Sequence, residues 1–139
     1  MKLIERFEAF YRDVSVNSLQ QLSEIYSVDA VLADPLSKHE GLDAIKAYFE
    51  SLLENTQACK CNIEHISEQG EHFFVTWKMT VVHPQLNSGR KFVVNGVSHL
   101  KSNADKMVFH RDYYDLGEMI YEQIPVLKHV IKSIKRRAV

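Results

Sequence analysis

The densest run of polar side chains is His110-Arg111-Asp112-Tyr113-Tyr114-Asp115, set in a stretch rich in residues that favour strands. Successive strand residues point to opposite faces, so His110, Asp112 and Tyr114 share one side and Arg111, Tyr113 and Asp115 the other. An imidazole and a carboxylate two residues apart can work as an acid–base pair if their face lines a pocket. They can equally form a structural His–Asp hydrogen bond or an outward charged rim. Asp34 is a second candidate base. It precedes Pro35 at the end of an extended run, where its side chain could alternatively accept backbone N–H groups as a turn residue. Trp77 and Met79 share a strand face and offer a flat apolar wall, suited to a core or to an apolar ligand. Cys59, Cys61 and His65 share a parity on another strand, but C-x-C-x3-H lacks the usual C-x2-C hairpin and a fourth ligand for zinc. Reduced thiols are expected there, with no metal and no disulfide, because residues two apart on a strand stand at the limit of disulfide geometry. His110-Arg111-Asp112 also matches part of a kinase catalytic loop, but neither a downstream metal-binding asparagine nor an upstream glycine-rich loop accompanies it.

Positioning these groups requires both helices and strands. Leu3, Ile4, Phe7, Phe10, Tyr11 and Val14 recur at three- and four-residue steps and predict a helix over 3–14. A short helix follows from Ser18 to Ile25 or Tyr26, then a brief extended segment over Asp29–Ala33, ended by Asp34-Pro35. Gly41-Leu42-Asp43 opens a third helix with Leu42, Ile45, Phe49 and Leu52 or Leu53 on one stripe. Strands are predicted near 59–68, 72–83, 90–101 and 106–115, as a four-stranded antiparallel meander. The last 20 residues return to helix, interrupted at Pro125. Val126, Leu127, Val130, Ile131 and Ile134 lie on one face there, with Lys128, Lys132, Lys135, Arg136 and Arg137 opposite. Helices gathered on one side of a curved antiparallel sheet are an α+β plan.

Composition bounds the function. The chain has 139 residues, 45% hydrophobic and 25% charged, the proportions of a single globular domain. Seventeen Lys and Arg against eighteen Asp and Glu disfavour a general nucleic-acid binder, which needs surplus cations to displace phosphate counterions. No stretch reaches the roughly 20 apolar residues of a membrane span. Charge at Glu5 and Arg6 interrupts any signal-peptide core, so a cytoplasmic location is expected.

Three segments carry a resemblance to a known family. They are Tyr26-Ser27-Val28-Asp29-Ala30-Val31-Leu32-Ala33-Asp34-Pro35, then Gly41-Leu42-Asp43-Ala44-Ile45-Lys46-Ala47-Tyr48-Phe49, then 110–115. Together they resemble the nuclear-transport-factor-2-like superfamily, which includes ketosteroid isomerases, limonene epoxide hydrolases and SnoaL-like polyketide cyclases. The resemblance implies a cone-shaped (cystatin-like) domain over 1–120, its curved antiparallel sheet wrapped around the N-terminal helices. Residues 121–139 would add a C-terminal amphipathic helix packed on that domain. It also implies a homodimer through the outer sheet face.

Residue by residue, Asp34 falls where ketosteroid isomerases keep their proton-abstracting aspartate. Their oxyanion-hole tyrosine falls at Phe10 and their neutral aspartic acid at Gly96 or Asn95, so those donors are not matched. The segment 110–115 is similar to the W-R-D-Y-F-D text of limonene epoxide hydrolase, with Asp112 at one of its catalytic aspartates. That enzyme's Arg-x-Asp pair is met here by Trp77 and Met79. The expectation is a cofactor-independent isomerase, cyclase or hydrolase acting on a small apolar molecule, with no metal. Asp34 would serve as general base, and His110 and Asp112 would orient or protonate the substrate. Trp77, Tyr114, Phe49, Val94 and Ile25 would form the walls. The rival is a non-catalytic ligand-binding or interaction module on the same fold. An enzyme should bring Asp34 and Asp112 to one water-accessible point, whereas a binding module should satisfy each separately with backbone donors. The tail helix is expected to dock at the cone mouth as a lid, with peripheral contact to an anionic membrane as the competing role.

Overall fold

The computed structural model describes residues 1–56 and 58–139, and the side chains of all of these except 58 and 59. Helix α1 (Leu3–Arg12) opens with Glu5 reaching back to the Lys2 backbone N–H, which satisfies one donor that no helical carbonyl can meet. Its apolar stripe buries Leu3, Phe7 and Phe10. Ser15 and Ser18 cap a 3-10 turn (Val16–Gln21), and α2 (Leu22–Ile25) delivers the chain into β1 (Tyr26–Ala33). A turn at Asp34–Ser37 reverses it into β2 (Lys38–Glu40), a three-residue strand with no apolar alternation to announce it. Gly41, at φ +94°, bends the chain from β2 into α3 (Leu42–Asn55) while its N–H bonds to the Ala30 carbonyl at 2.8 Å. Four long strands follow: β3 (Ala58–Gln69), β4 (His72–Val82), β5 (Phe92–Asn103) and β6 (Lys106–Tyr114).

The strands form one six-stranded sheet in the order β2-β1-β6-β5-β4-β3. Strands β3 to β6 make the expected antiparallel meander. The sheet as a whole is mixed rather than antiparallel, because β1 runs parallel to β6, with Leu32 opposite His110. A parallel neighbour needs a long crossover, and here the connection is everything between residues 34 and 105. A register shift between Ile63 and His65 also breaks the parity expected along β3. Cys61 and Ile63 face the helices while His65 is exposed, so Cys61 and His65 lie on opposite faces. The Cys59 side chain lies outside the described residues.

The curved inner face packs on α1, α2 and α3 through Phe7, Phe10, Leu22, Ile45, Phe49, Val75, Trp77 and Leu100. Ile25, expected on a ligand-binding wall, is fully inside this core, since α2 turns it toward α1 and α3 rather than toward open space. Val94 is likewise displaced from the wall, packed with Val81 and Phe92 in a second small cluster.

After β6, Asp115 caps α4 (Leu116–Met119) by accepting the Glu118 N–H. A 3-10 turn (Tyr121–Gln123) then leads to α5 (Pro125–Ala138), with Pro125 in the first turn, where its missing N–H costs nothing. Helix α5 contacts mainly the 121–123 turn and buries no residue. Of the apolar row expected to dock on the cone, Ile131 is half-buried and the other four stay exposed: Val126 is 75% exposed, Leu127 39%, Val130 49% and Ile134 55%. Met119 and Ile120, not α5, reach the cone's open end.

Candidate functional site

Between α1, α3 and the inner face of the sheet lies a cavity of about 360 Å³, bordered mainly by apolar side chains. Phe7 and Tyr11 reach it from α1, Tyr48, Phe49 and Leu52 from α3, and Cys61, Trp77 and Met79 from β3 and β4. Asp34, Asp112, Tyr114 and Ser98 supply polar atoms to the same space. Trp77 and Tyr114 meet edge to face with ring centroids 6.3 Å apart, forming one wall. That wall depends on Gly96, which pairs directly with Trp77: any Cβ there would stand 2.2 Å from the indole ring. Gly96 is one of the two positions, with Asn95, that correspond to the isomerase's oxyanion-hole acid, and at Gly96 the indole occupies the room such a side chain would need.

Asp112 is the best-organised polar group of the cavity. Its Oδ1 accepts from Ser98 Oγ at 2.5 Å and from His110 Nε2 at 2.6 Å. Ser98 in turn accepts from the Trp77 indole N–H at 2.9 Å. The Asp112 side chain keeps 22% exposure, and Oδ2 is the oxygen left to meet a ligand. His110 is only 1% exposed and does not border the cavity, a correction to its expected contact with substrate. It lies one layer behind, packed against the Phe7 and Tyr11 rings and stacked on Tyr26.

The other imidazole nitrogen extends the chain. Tyr26 Oη lies 2.6 Å from His110 Nδ1, and Tyr11 Oη lies 2.7 Å from Tyr26 Oη. Donor directions follow from the carboxylate, which when ionised can only accept. His110 Nε2–H must donate to it, so the Nδ1 of a neutral ring accepts from Tyr26, and Tyr26 accepts from Tyr11. Every link then has one donor and one acceptor, running from Tyr11 through Tyr26 and His110 to Asp112. Burial pushes both phenols well above their ordinary range; for Tyr11, repulsion from Tyr26 and Asp112 adds to it. Both stay protonated, as the chain requires.

Tyr11 and Tyr26 were not singled out by sequence. Phe10 and Tyr11 both fit the α1 stripe, and only the partner 15 residues away distinguishes the phenol from a plain core aromatic.

Asp34 borders the same cavity, but Oδ1 accepts the backbone N–H groups of Leu36 (2.8 Å) and Ser37 (2.9 Å), the pattern of a turn residue. Oδ2 lies 3.4 Å from the Tyr48 hydroxyl. The structure therefore brings Asp34, Asp112, Trp77, Tyr114 and Phe49 to one cavity, keeps His110 behind it, and leaves Ile25 and Val94 in the core. Among the described residues, no three His, Cys, Asp or Glu side chains gather as a metal site would require.

Comparison with known proteins bears on this arrangement. Residues 7–110 match the model of the SnoaL-like domain. No curated protein matches the sequence. Among solved structures, the chain is similar to a hypothetical protein of ketosteroid isomerase-like fold from Catenulispora acidiphila, in complex with trimethylamine. That match has a TM-score of 0.74 at 14% identity and covers 87% of this chain and 90% of the other. A candidate SnoaL-like polyketide cyclase from Jannaschia sp. CCS1 gives a TM-score of 0.74 at 15% identity, covering 88% and 90%. An NTF2-like protein of unknown function from Burkholderia pseudomallei gives 0.72 at 20% identity, covering 85% and 91%. At such identities the likeness to these structures is one of fold.

Proposed function

Because the chain belongs to the SnoaL-like domain family, we propose that its cavity takes up a small apolar carbonyl compound and isomerises or cyclises it by cofactor-independent proton transfer, with Asp112 as the base. The observation that carries this reading is the one-way hydrogen-bond chain ending on a single Asp112 oxygen inside an apolar cavity. Two donors on Oδ1 fix the carboxylate's orientation in advance and leave Oδ2 free to take a proton from a carbon beside the carbonyl. His110, as the positioning residue, holds that carboxylate rather than touching substrate. Tyr11 is the donor assigned to the carbonyl oxygen: its ring borders the cavity, and its hydroxyl can turn from Tyr26 to a developing oxyanion. Trp77 and Tyr114 would bind the apolar skeleton, and the proton on Asp112 would return at another carbon.

A ligand-binding module without chemistry is the second reading, favoured by one observation: the backbone already satisfies Asp34 Oδ1, so only one of the two expected carboxylates is poised. Proton exchange separates the two. Incubation in D2O with enolisable apolar ketones and cyclic enones should give deuterium incorporation above the buffer rate by mass spectrometry. Asp112→Asn should lower that rate by about hundredfold or more. Ligand binding without exchange would establish the module, and exchange lost in Asp34→Asn but kept in Asp112→Asn would move the base to Asp34.

A further inference from the structure

We propose that α5 is a membrane-surface helix that lies on an anionic bilayer. Val126, Val130 and Ile134 follow each other at four-residue steps, so they form a single row along the helix, with Leu127 beside it. All four are exposed. On the helical projection Lys128 and Lys135 flank one edge of the apolar arc, Lys132 and Arg136 lie opposite it, and Arg137 follows the row at its C-terminal end. No acidic residue occurs from Pro125 onward.

The charge of the chain is segregated accordingly. Five of its seventeen basic residues lie in α5 and all eighteen acidic residues lie elsewhere, so the helix carries +5 and the remainder −6 with His neutral. A net charge of −1 conceals this division. Fourteen residues make a helix of about 21 Å, too short to cross a bilayer, and no helix among the described residues is long and apolar enough to do so. Lying flat, the helix would place its apolar row at the acyl boundary, while Lys128 extends its stem to headgroup phosphates and Lys135 exchanges its 3.2 Å ion pair with Glu122 for them. A second copy of the chain is the weaker fit. Its acidic body would attract the lysine side of the helix and leave the apolar row uncovered, whereas an anionic bilayer answers both sides at once.

Flotation of the full chain with phosphatidylcholine vesicles, with and without phosphatidylglycerol, tests this independently of any chemistry in the cavity. The protein should float with the anionic vesicles, not with phosphatidylcholine alone, and less as salt rises. Val130→Asp/Ile134→Asp should abolish flotation without moving the thermal unfolding midpoint, since both side chains are exposed. Lys128→Ala, at the flank of the apolar arc, should weaken binding about fivefold, the factor equivalent to about 1 kcal/mol per basic residue near an anionic surface. No flotation of the intact chain at low ionic strength would overturn the proposal, as would flotation unchanged in the double variant. Self-association on size exclusion that the double variant removes would assign the row to a second copy instead.

Discussion

A carboxylate wedged among aromatic rings keeps a fixed direction only if its donors are fixed too, and for Asp112 those donors are Ser98 and His110. The cost of building them is carried by two phenols that cannot ionise in place. The sign of the resulting pH dependence follows from the raised Tyr11 and Tyr26 values. Above about pH 10 the unfolded chain releases phenolic protons that the folded chain retains, so stability is full below that pH and falls as pH rises beyond it. Urea unfolding between neutral and strongly alkaline pH should show this decline. Tyr11→Phe, by removing one of the two groups, should flatten the alkaline limb by about 1.4 kcal/mol per pH unit. Gly96→Ala is the sharper substitution, because its Cβ meets the indole of Trp77, and moving that ring aside strains its N–H bond to Ser98. A loss of about 1–3 kcal/mol is expected in denaturant unfolding. Period-two alternation made the inward direction of Asp112 and Tyr114 legible in the sequence, and with it the outward direction of Arg111 and Tyr113. It could not separate His110 from the cavity surface, since parity gives a face and not a depth.

Among the elements, the hairpin joining β5 to β6 holds a local conflict. Asn103 pairs with Lys106, leaving Ala104 and Asp105 as a two-residue loop with φ of +48° and +63°. Positive φ at both loop positions is a type I′ turn, which prefers asparagine then glycine. Alanine at the first position is strained, but Asp105 is retained by a tie to α1: the Arg6 guanidinium donates to its carboxylate at 3.0 Å and to its carbonyl at 3.1 Å. The same guanidinium reaches the carbonyls of Met1 and Glu24. Ala104→Asn relieves the strain without touching that clamp and should raise stability by about 0.5–1 kcal/mol in thermal unfolding. The turn's location was readable from Ser102–Asp105, its clamp was not, because Arg6 and Asp105 stand 99 positions apart. Strand β2 was unreadable for a different reason: Lys38-His39-Glu40 has no apolar residue, and only pairing with β1 makes it a strand. The α5 stripe was legible as a stripe. Its exposure was not, since apolar periodicity states that a face wants cover and not that cover is present.

For the molecule as a whole, the inner face of the sheet is filled by helices while the outer face is not. Val97 lies opposite Tyr113 there, with Phe74 two residues along β4 from Thr76, the other neighbour of Val97. All three are exposed. The outer face is where a second copy is expected to pack, giving a dimer by light scattering at micromolar concentration. Val97→Asp would set an unpaired carboxylate in the middle of that contact and should yield a monomer. A monomeric parent chain would remove the expectation, and a dimer indifferent to Val97→Asp would relocate it.

The cavity also comes with its own optical probe. Trp77 is the only tryptophan in the chain and sits on the cavity wall, so the indole emission, excited apart from the tyrosines, originates at one point. A ligand that displaces water from beside the indole should shift that emission to the blue or quench it, and a titration would give stoichiometry and affinity without a label. Since the indole N–H is bonded to Ser98, and Ser98 to Asp112, the fluorophore is two hydrogen bonds from the carboxylate. The same signal should therefore respond when Asp112 gains a proton, placing binding and proton uptake in a single stopped-flow trace.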